Sequence, residues 1–142
     1  MPQELLTTHL CMTKDIGVHG NLFGGNMLSW LDEAAASMAS QVCDTTNLVT
    51  KKLTEVEFER RIRVGQLIKI YGEVTRLGNT SITLAIEARK HNVHTGTQKK
   101  VCSTRITFVN VDEEGEPLPH SDRVKERFEK SKEGEEPLLN AQ

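Results

Sequence analysis

Residues 26–42 of the chain read NMLSWLDEAAASMASQV, and only Asp32 and Glu33 carry charge in this stretch. Three consecutive alanines, 34–36, leave room for a helix to lie close against a sheet. Because so little charge interrupts the segment, we predict a helix that is buried on most sides and forms the hydrophobic centre of the fold. Its apolar residues recur at three- and four-residue steps, the spacing of a helix face: Met27, Leu31, Ala34, Met38 and Val42.

The segment that leads into this helix, DIGVHGNLFGG at residues 15–25, is rich in glycine. Glycine permits tight turns and lets a backbone approach a ligand closely. We therefore predict an irregular loop here, directly before the buried helix.

Strand patterns dominate the chain after the helix. Residues 67–76 and 80–90 alternate apolar and polar positions, and two further β-type runs cover 48–62 and 100–111. An opening strand fits within residues 3–13. Glycine turn signals separate the later runs, so the strands are expected to pair antiparallel. The predicted fold class is α+β, with one long central helix wrapped by a curved antiparallel β-sheet.

The composition changes from Asp112 onwards. Pro117 and Pro119 break the last strand, and Ser121 can cap a short polar helix that runs to about Lys132. The sequence thus predicts a domain over residues 1–120, followed by a polar C-terminal helix and a solvated tail over residues 121–142.

Length and charge exclude several classes of protein. The 142 residues carry a net charge of −2, which fits one domain and argues against a nucleic-acid binder. No apolar run reaches the ~18 residues of a membrane span, and MPQELLTT lacks the pattern of a signal peptide. Three cysteines without CxxC spacing indicate neither disulfides nor zinc. We expect a cytoplasmic protein with no membrane partner and no metal.

Asp32 is the first candidate for catalysis. It lies on the helix side of Leu28 and Ala36, whereas Glu33 lies nearer to Ser29 and is expected to reach polar surroundings. A carboxylate held among apolar residues is a stronger base than one in water. The alternative is a helix carboxylate that points to solvent or caps a neighbouring backbone group.

Gly24 and Gly25 are the second candidate feature. The first N–H groups of a helix have no internal partner, and they lie at the positive end of its dipole. A glycine pair lets a substrate carbonyl approach these N–H groups, as in an oxyanion hole. Taken alone, the pair is better explained as a plain tight turn into a buried helix. Together with Asp32 it provides the minimum set of groups for adding water to an acyl group.

At this point a family resemblance can be stated. Residues 19–36, HGNLFGGNMLSWLDEAAA, resemble the signature of the YciA-type and cytosolic acyl-CoA hydrolase family, the hot-dog-fold acyl-CoA thioesterases. Weaker matches extend the resemblance over about residues 5–120. The positions that match the signature are Gly20, Asn21, Leu22, Phe23, Gly24, Gly25 and Asp32.

The resemblance implies a hot-dog fold and a homodimer as the minimal active unit, commonly assembled as a trimer of dimers. It also implies that Asp32 acts as general base or nucleophile on the thioester carbonyl, which the backbone N–H groups of Gly24 and Gly25 polarise. No cofactor is implied, because coenzyme A is part of the substrate. One departure stands out, since Gly17 occupies the place of an Asn in many relatives. The function of that Asn is then either absent or supplied by His19 or Asn21.

The phosphates of CoA should meet cations and turn residues. The candidates are Arg60, Arg61 and Arg63, with the turn formed by Gly78, Asn79, Thr80 and Ser81. Most other basic residues are expected simply to protect sheet edges. His91 and His94, with Cys102, do not match the spacing of a metal site.

The sequence therefore indicates an acyl-CoA thioesterase. Two alternatives stay open. One is a hot-dog hydratase or dehydratase, which would need a histidine poised for proton transfer, whereas His19 precedes the helix. The other is a non-catalytic acyl-CoA-binding protein, against which Asp32 argues, because a buried acid costs stability unless it is used. A serine hydrolase is disfavoured because the chain has no GxSxG motif.

Overall fold

The computed structural model describes residues 2–134 and 136–139. Its central element is helix α1, Gly24–Cys43, which begins two residues before the predicted start. Asp44 ends the helix in a left-handed conformation, with φ of 54°, and its N–H donates to the carbonyl of Ser40. The prediction of a buried helix is confirmed by the residues that it hides: Met27, Leu31, Ala34, Ala35, Met38, Ala39, Val42 and Cys43.

Five antiparallel strands form one sheet in the order β1-β3-β4-β5-β2. The predicted strands are confirmed, although β2 ends four residues earlier than the pattern suggested. The strands are β1 Glu4–Leu10, β2 Leu48–Phe58, β3 Leu67–Leu77, β4 Ser81–His91 and β5 Gln98–Asn110. The sheet packs α1 against its apolar face, which gives the predicted α+β arrangement.

Gly72 shows how closely the helix approaches the sheet. A side chain at this position of β3 would meet Cδ1 of Leu6 at 2.7 Å and Cδ1 of Ile86 at 2.8 Å, and it would come within 3.4 Å of Sδ of Met38. Side chains of β3 and β4 alternate between the two faces of the sheet, and those on one face, including Ile70 and Leu84, are buried in this core. Small residues on both elements therefore set the spacing between helix and sheet.

The C-terminal segment is not a solvated tail where the structure describes it. Helix α2, Asp122–Gly134, begins as predicted, with Ser121 Oγ accepting the N–H of Val124 at 3.2 Å. Val124 and Phe128 are buried, however, and Leu138 joins the core cluster. Residues 135 and 140–142 of the predicted tail lie outside the described residues.

Two polar contacts fix this segment to the domain. The buried carboxylate of Glu4 in β1 accepts the backbone N–H groups of Leu138 and Leu139, at 2.9 and 3.1 Å. Arg127 of α2 donates to Asp44 Oδ1 at 3.2 Å and to backbone carbonyls at the end of α1. In the described part of the chain, neither helix is long and apolar enough to cross a membrane.

Candidate active site

The N-terminus of α1 presents two unpaired amides. Phe23 precedes the helix in an extended conformation, and its carbonyl accepts the N–H groups of Asn26 and Met27 at 3.0 and 3.2 Å. Among the described residues, none accepts a hydrogen bond from the N–H of Gly24 or Gly25. These two donors lie at the positive end of a 20-residue helix, so they can bind an oxygen that gains negative charge.

The loop before the helix is held in place by its own hydrogen bonds. The carbonyl of Asp15 accepts the N–H of Phe23 at 3.0 Å and Nδ2 of Asn26 at 2.8 Å. The N–H of Gly17 donates to the carbonyl of Asn21 at 2.8 Å, which closes a short turn. Asn26 was not among the candidates, because nothing in the sequence indicates that an amide in the first turn reaches back eleven residues.

Gly17 and Gly25 make room for the ring of Phe23. A Cβ atom at Gly25 would lie 2.8 Å from the ring, and one at Gly17 would lie 3.2 Å from it. Gly17 therefore packs closely against the aromatic ring, and a side chain at this position would require the ring to shift by a few tenths of an ångström.

Asp32 lies half-buried on α1 and faces the sheet edge. Its Oδ1 accepts a hydrogen bond from Oγ1 of Thr50 at 3.1 Å, and Thr50 belongs to the edge strand β2. The neighbouring Glu33 is exposed, as the helical positions predicted. Thr50 was missed as the partner of Asp32, because the sequence does not reveal which residue of β2 passes the carboxylate.

A cavity of about 240 Å3 opens beside the glycine pair, and we call it the glycine-pair cavity. Its rim includes Asn21, Gly24, Phe58, Arg60 and Arg61. Apolar groups complete the lining, which suits an acyl chain next to a polar head: Leu22, Met27, Ile62, Val101 and Cys102.

The Cys102 thiol in this lining is not a nucleophile. Burial raises its pKa to about 11, so it stays protonated at neutral pH. The reactive groups of the cavity are therefore its backbone donors and polar side chains.

The remaining candidates are divided between the two ends of the sheet. His19 is exposed and takes part in no hydrogen bond among the described residues, so only Asn21 of the two loop candidates reaches the cavity. Arg63 lies outside the cavity lining, and its backbone N–H donates to Oε1 of Gln66.

The turn at Gly78–Ser81 lies at the opposite end of β3 from Arg63, roughly 35 Å away along the strand. Carbonyl groups of this turn contact His120, which lies just before α2. His120 donates its backbone N–H to the carbonyl of Asn79 at 2.9 Å and lies 2.8 Å from the carbonyl of Ser81 through Nε2. Within one chain, the structure does not bring this turn and the arginines together.

Comparison with known proteins identifies the family to which the chain belongs. The model of the thioesterase superfamily matches residues 19–97, so the chain belongs to that superfamily. The matched region includes the glycine pair, Asp32 and the two arginines of the cavity rim.

Three relatives show how far the similarity extends. The chain is 32% identical over 132 residues to the cytosolic acyl coenzyme A thioester hydrolase of Rattus norvegicus, covering 87% of this chain but 34% of that protein. It spans only about a third of the length of that relative. It is 29% identical to the acyl-CoA thioester hydrolase YciA of Salmonella typhimurium, over 82% of this chain and 89% of that protein.

The third relative is a solved structure, a hexameric hotdog fold thioesterase of Campylobacter jejuni. It superposes with a TM-score of 0.78 at 30% identity, over 87% of this chain and 94% of that chain. The predicted hot-dog fold and the resemblance to the YciA-type family are thereby confirmed.

Proposed function

We propose that this protein hydrolyses acyl-CoA to a free fatty acid and CoA. The observation that carries the proposal is the half-buried Asp32, hydrogen-bonded to Thr50, on a helix whose first amides, Gly24 and Gly25, are unpaired. The names of the rat and Salmonella relatives support the substrate class. We further propose that the reaction takes no cofactor beyond the CoA of its substrate, and that the protein acts in the cytoplasm.

In the proposed reaction, the thioester oxygen binds to the N–H groups of Gly24 and Gly25. Asp32 either removes a proton from water as the water attacks the carbonyl carbon, or attacks that carbon itself to form an anhydride that water then opens. The carbon–sulfur bond breaks in both routes, and the CoA sulfur leaves with the electron pair and takes up a proton. We assign the orientation of the water or the carbonyl to Asn21, which lines the cavity.

The two halves of this machinery are too far apart to act within one chain. Gly25 and Asp32 are separated by seven helical residues, or about 10 Å along the axis, whereas a reacting carbonyl must lie about 3 Å from both groups. We therefore propose that a homodimer is the minimal active unit, with Asp32 of the partner subunit facing the glycine pair. The hexameric relative from Campylobacter jejuni supports a trimer of such dimers.

The edge strand β2 is suited to pairing with its copy. No strand of the described residues pairs with its outer side, and it presents exposed apolar side chains, Val49, Val56 and Phe58. The exposed ring of Phe23 lies at the N-terminus of α1, next to this edge. An apolar edge of this kind is costly to leave in water, and a second subunit would cover it.

The central test is release of free CoA thiol from acyl-CoA substrates of several chain lengths, with Asp32→Asn and the matched control Glu33→Gln. We expect Asp32→Asn to lower kcat by about 10² to 10⁴, the usual contribution of a positioned base. Glu33→Gln should keep its activity, because Glu33 is exposed one position away on the same helix. Thermal unfolding of each variant verifies that it is folded.

Three results would count against these assignments. If the wild type released no CoA from any substrate, the proposed function would be wrong. If Asp32→Asn kept full activity while Glu33→Gln lost it, the catalytic carboxylate would be Glu33. Loss of enoyl-CoA absorbance on hydration would instead favour the hydratase alternative.

A further inference from the structure

A second cavity, of about 420 Å3, opens beside the β4–β5 hairpin, and we call it the hairpin cavity. Its lining comes from the start of β3, the end of β4 and the hairpin, and it includes Lys90, Lys99, His91, His94 and Gln66. No aspartate or glutamate lines it. The cavity lies at the same end of the sheet as the N-terminus of α1, because the segment from Ile62 to Gln66 joins the two regions.

Lys90 and Lys99 face each other directly in the ladder between β4 and β5. Like charges in this position destabilise a sheet. The neighbouring cationic pair, Arg89 and Lys100, is neutralised, since Arg89 lies 2.5 Å from Glu87 and Lys100 lies 3.6 Å from Glu59. No carboxylate of the described residues forms an ion pair with Lys90 or Lys99. The positive charges of Lys90 and Lys99 are therefore available to bind a ligand.

The cavity wall also holds hydrogen-bond donors. Arg89 donates to Oε1 of Gln98 at 3.4 Å, so the amide nitrogen of Gln98 faces Nδ1 of His91, at 3.0 Å. Because Nδ1 of His91 accepts, the neutral ring carries its proton on Nε2, which has no partner among the described residues. Gln66 uses its oxygen to accept the N–H of Arg63 at 2.8 Å, which leaves its NH2 group to donate.

The hairpin that closes the cavity is held by a dense set of hydrogen bonds. Asn92 Oδ1 accepts the backbone N–H groups of His94 and Thr95 at 2.9 and 3.3 Å. The backbone N–H of Gly96, at a φ of 76°, donates to the carbonyl of Asn92 at 2.7 Å. The two lysines therefore meet across a preformed loop, which lowers the cost of ordering the site when a ligand binds.

We infer that the hairpin cavity binds the phosphate groups of an organic polyphosphate, through the charges of Lys90 and Lys99 and the donors of His91 and Gln66. Two sources carry this chemistry, the phosphates of a CoA substrate and a free nucleotide; the first rests on the proposed function. The position favours CoA, because Lys99 precedes Val101 of the glycine-pair cavity by two residues, about 7 Å along β5. One extended ligand can place its thioester in one cavity and its phosphates in the other.

The first arm of the test compares an acyl-CoA with the corresponding acyl-pantetheine, which has the same thioester and no phosphate. The proteins are the wild type, Lys90→Gln, Lys99→Gln and the double variant. Lys130→Gln is the control, because Lys130 is an exposed lysine of α2. We expect the double variant to raise KM for acyl-CoA by about tenfold or more, the loss of at least one charge-assisted contact. Its kcat for acyl-CoA and its KM for acyl-pantetheine should match those of the wild type and of Lys130→Gln.

The second arm measures binding of CoA and of ATP by calorimetry, without turnover. Loss of CoA binding in the double variant supports the site with CoA as its ligand. Loss of ATP binding alone, with KM for acyl-CoA unchanged, supports the site with a free nucleotide as its ligand. The inference is overturned if the double variant binds both with wild-type affinity, or if the wild type binds neither.

The two arms separate this inference from the proposed function. A wild type that hydrolyses no acyl-CoA contradicts the proposed function, while the calorimetry still decides the phosphate site. Removing one of two opposed lysines should also leave the Tm unchanged or raise it, so a loss of binding is not explained by unfolding.

Discussion

Phe23 and Asp32 show how single residues of the candidate site depend on their neighbours. The ring of Phe23 fits because Gly17 and Gly25 carry no side chain, and the ring in turn lies against the N-terminus of α1. Asp32 is fixed from another element, by the hydroxyl of Thr50. The first arrangement follows from steric exclusion, whereas the second requires the sheet to bring residue 50 to the helix.

His9 shows, also at the scale of a single residue, how burial changes the pKa of a side chain. Its ring stacks on Trp30, with ring centres 4.4 Å apart, and its Nε2 is buried with no hydrogen-bond partner in the part of the chain that the structure describes. Burial lowers the pKa of His9 below its ordinary value of 6.5, against the opposing effect of Glu33 and Asp15. Below pH 6.5, His9 therefore binds a proton more readily in the unfolded chain than in the folded one. The free energy of unfolding decreases as the pH falls through this range.

We expect the free energy of unfolding to fall more steeply between pH 7 and pH 5 in the wild type than in His9→Phe. Urea unfolding at a series of pH values measures this slope. The exposed histidine variant His94→Gln should keep the wild-type slope, because its side chain is exposed. Equal slopes in the wild type and His9→Phe would show that burial does not lower the pKa of His9.

At the scale of elements, periodicity predicted α1, β3 and β4 closely, because each has one face in the core and one outside it. The pattern placed the end of β2 at residue 62, but the strand ends at Phe58, because the N–H groups of Glu59 and Arg60 both donate to the carbonyl of Val101 and the regular ladder stops there. The polar helix α2 was predicted, but its packing was missed. Val124 and Phe128, four residues apart, were the available signal for a buried face.

The contact between α2 and the end of α1 can be tested with two arginines that share one partner. Arg127 lies 3.2 Å from Asp44 Oδ1 with a quarter of its side chain exposed, whereas Arg123 lies 3.6 Å from Oδ2 with 79% exposed. Arg127 also donates to the carbonyls of Gln41 and Val42. Its charge is therefore held at the negative end of the helix dipole.

Arg127→Met should lower the free energy of unfolding by about 1–3 kcal/mol, the usual range for hydrogen bonds to a charged group. Arg123→Met should change it by less than about 0.5 kcal/mol, because exposed ion pairs contribute little. Urea unfolding of both variants measures the difference. Similar losses in the two would mean that the ion pair with Asp44, and not the capping of α1, holds the helices together.

At the scale of the whole molecule, one chain holds both groups of the proposed reaction, and we propose that the complete site needs a second chain. The sequence predicted the groups themselves, because the motif is local. It could not predict that Thr50 of β2 contacts Asp32, nor that the carbonyl of Asn79 in the turn accepts the N–H of His120, since both contacts depend on distant parts of the chain.

A composite site predicts complementation between two inactive variants. Asp32→Ala keeps the glycine pair, and Gly25→Val keeps Asp32 but places a side chain where even a Cβ atom would lie 2.8 Å from Phe23. When the two are unfolded and refolded together, each mixed dimer should contain one intact site. We expect about a quarter of the wild-type activity, since half of the dimers are mixed and each has one of two sites.

Each variant refolded alone supplies the control for this experiment and should remain inactive. If the mixture stayed as inactive as its components while forming mixed dimers, the glycine pair and Asp32 would have to act within one subunit.

The strand order has a consequence for how the chain folds. The pairs β3–β4 and β4–β5 join neighbours in sequence through short hairpins, whereas β1 pairs with β3, which lies about sixty residues later in the chain. Loop closure makes such distant pairing slow, so the three-stranded meander is the natural nucleus. Strands β1 and β2, joined by α1, would then add to its two sides in a later event. Helix α1 would thus dock onto a sheet that already exists.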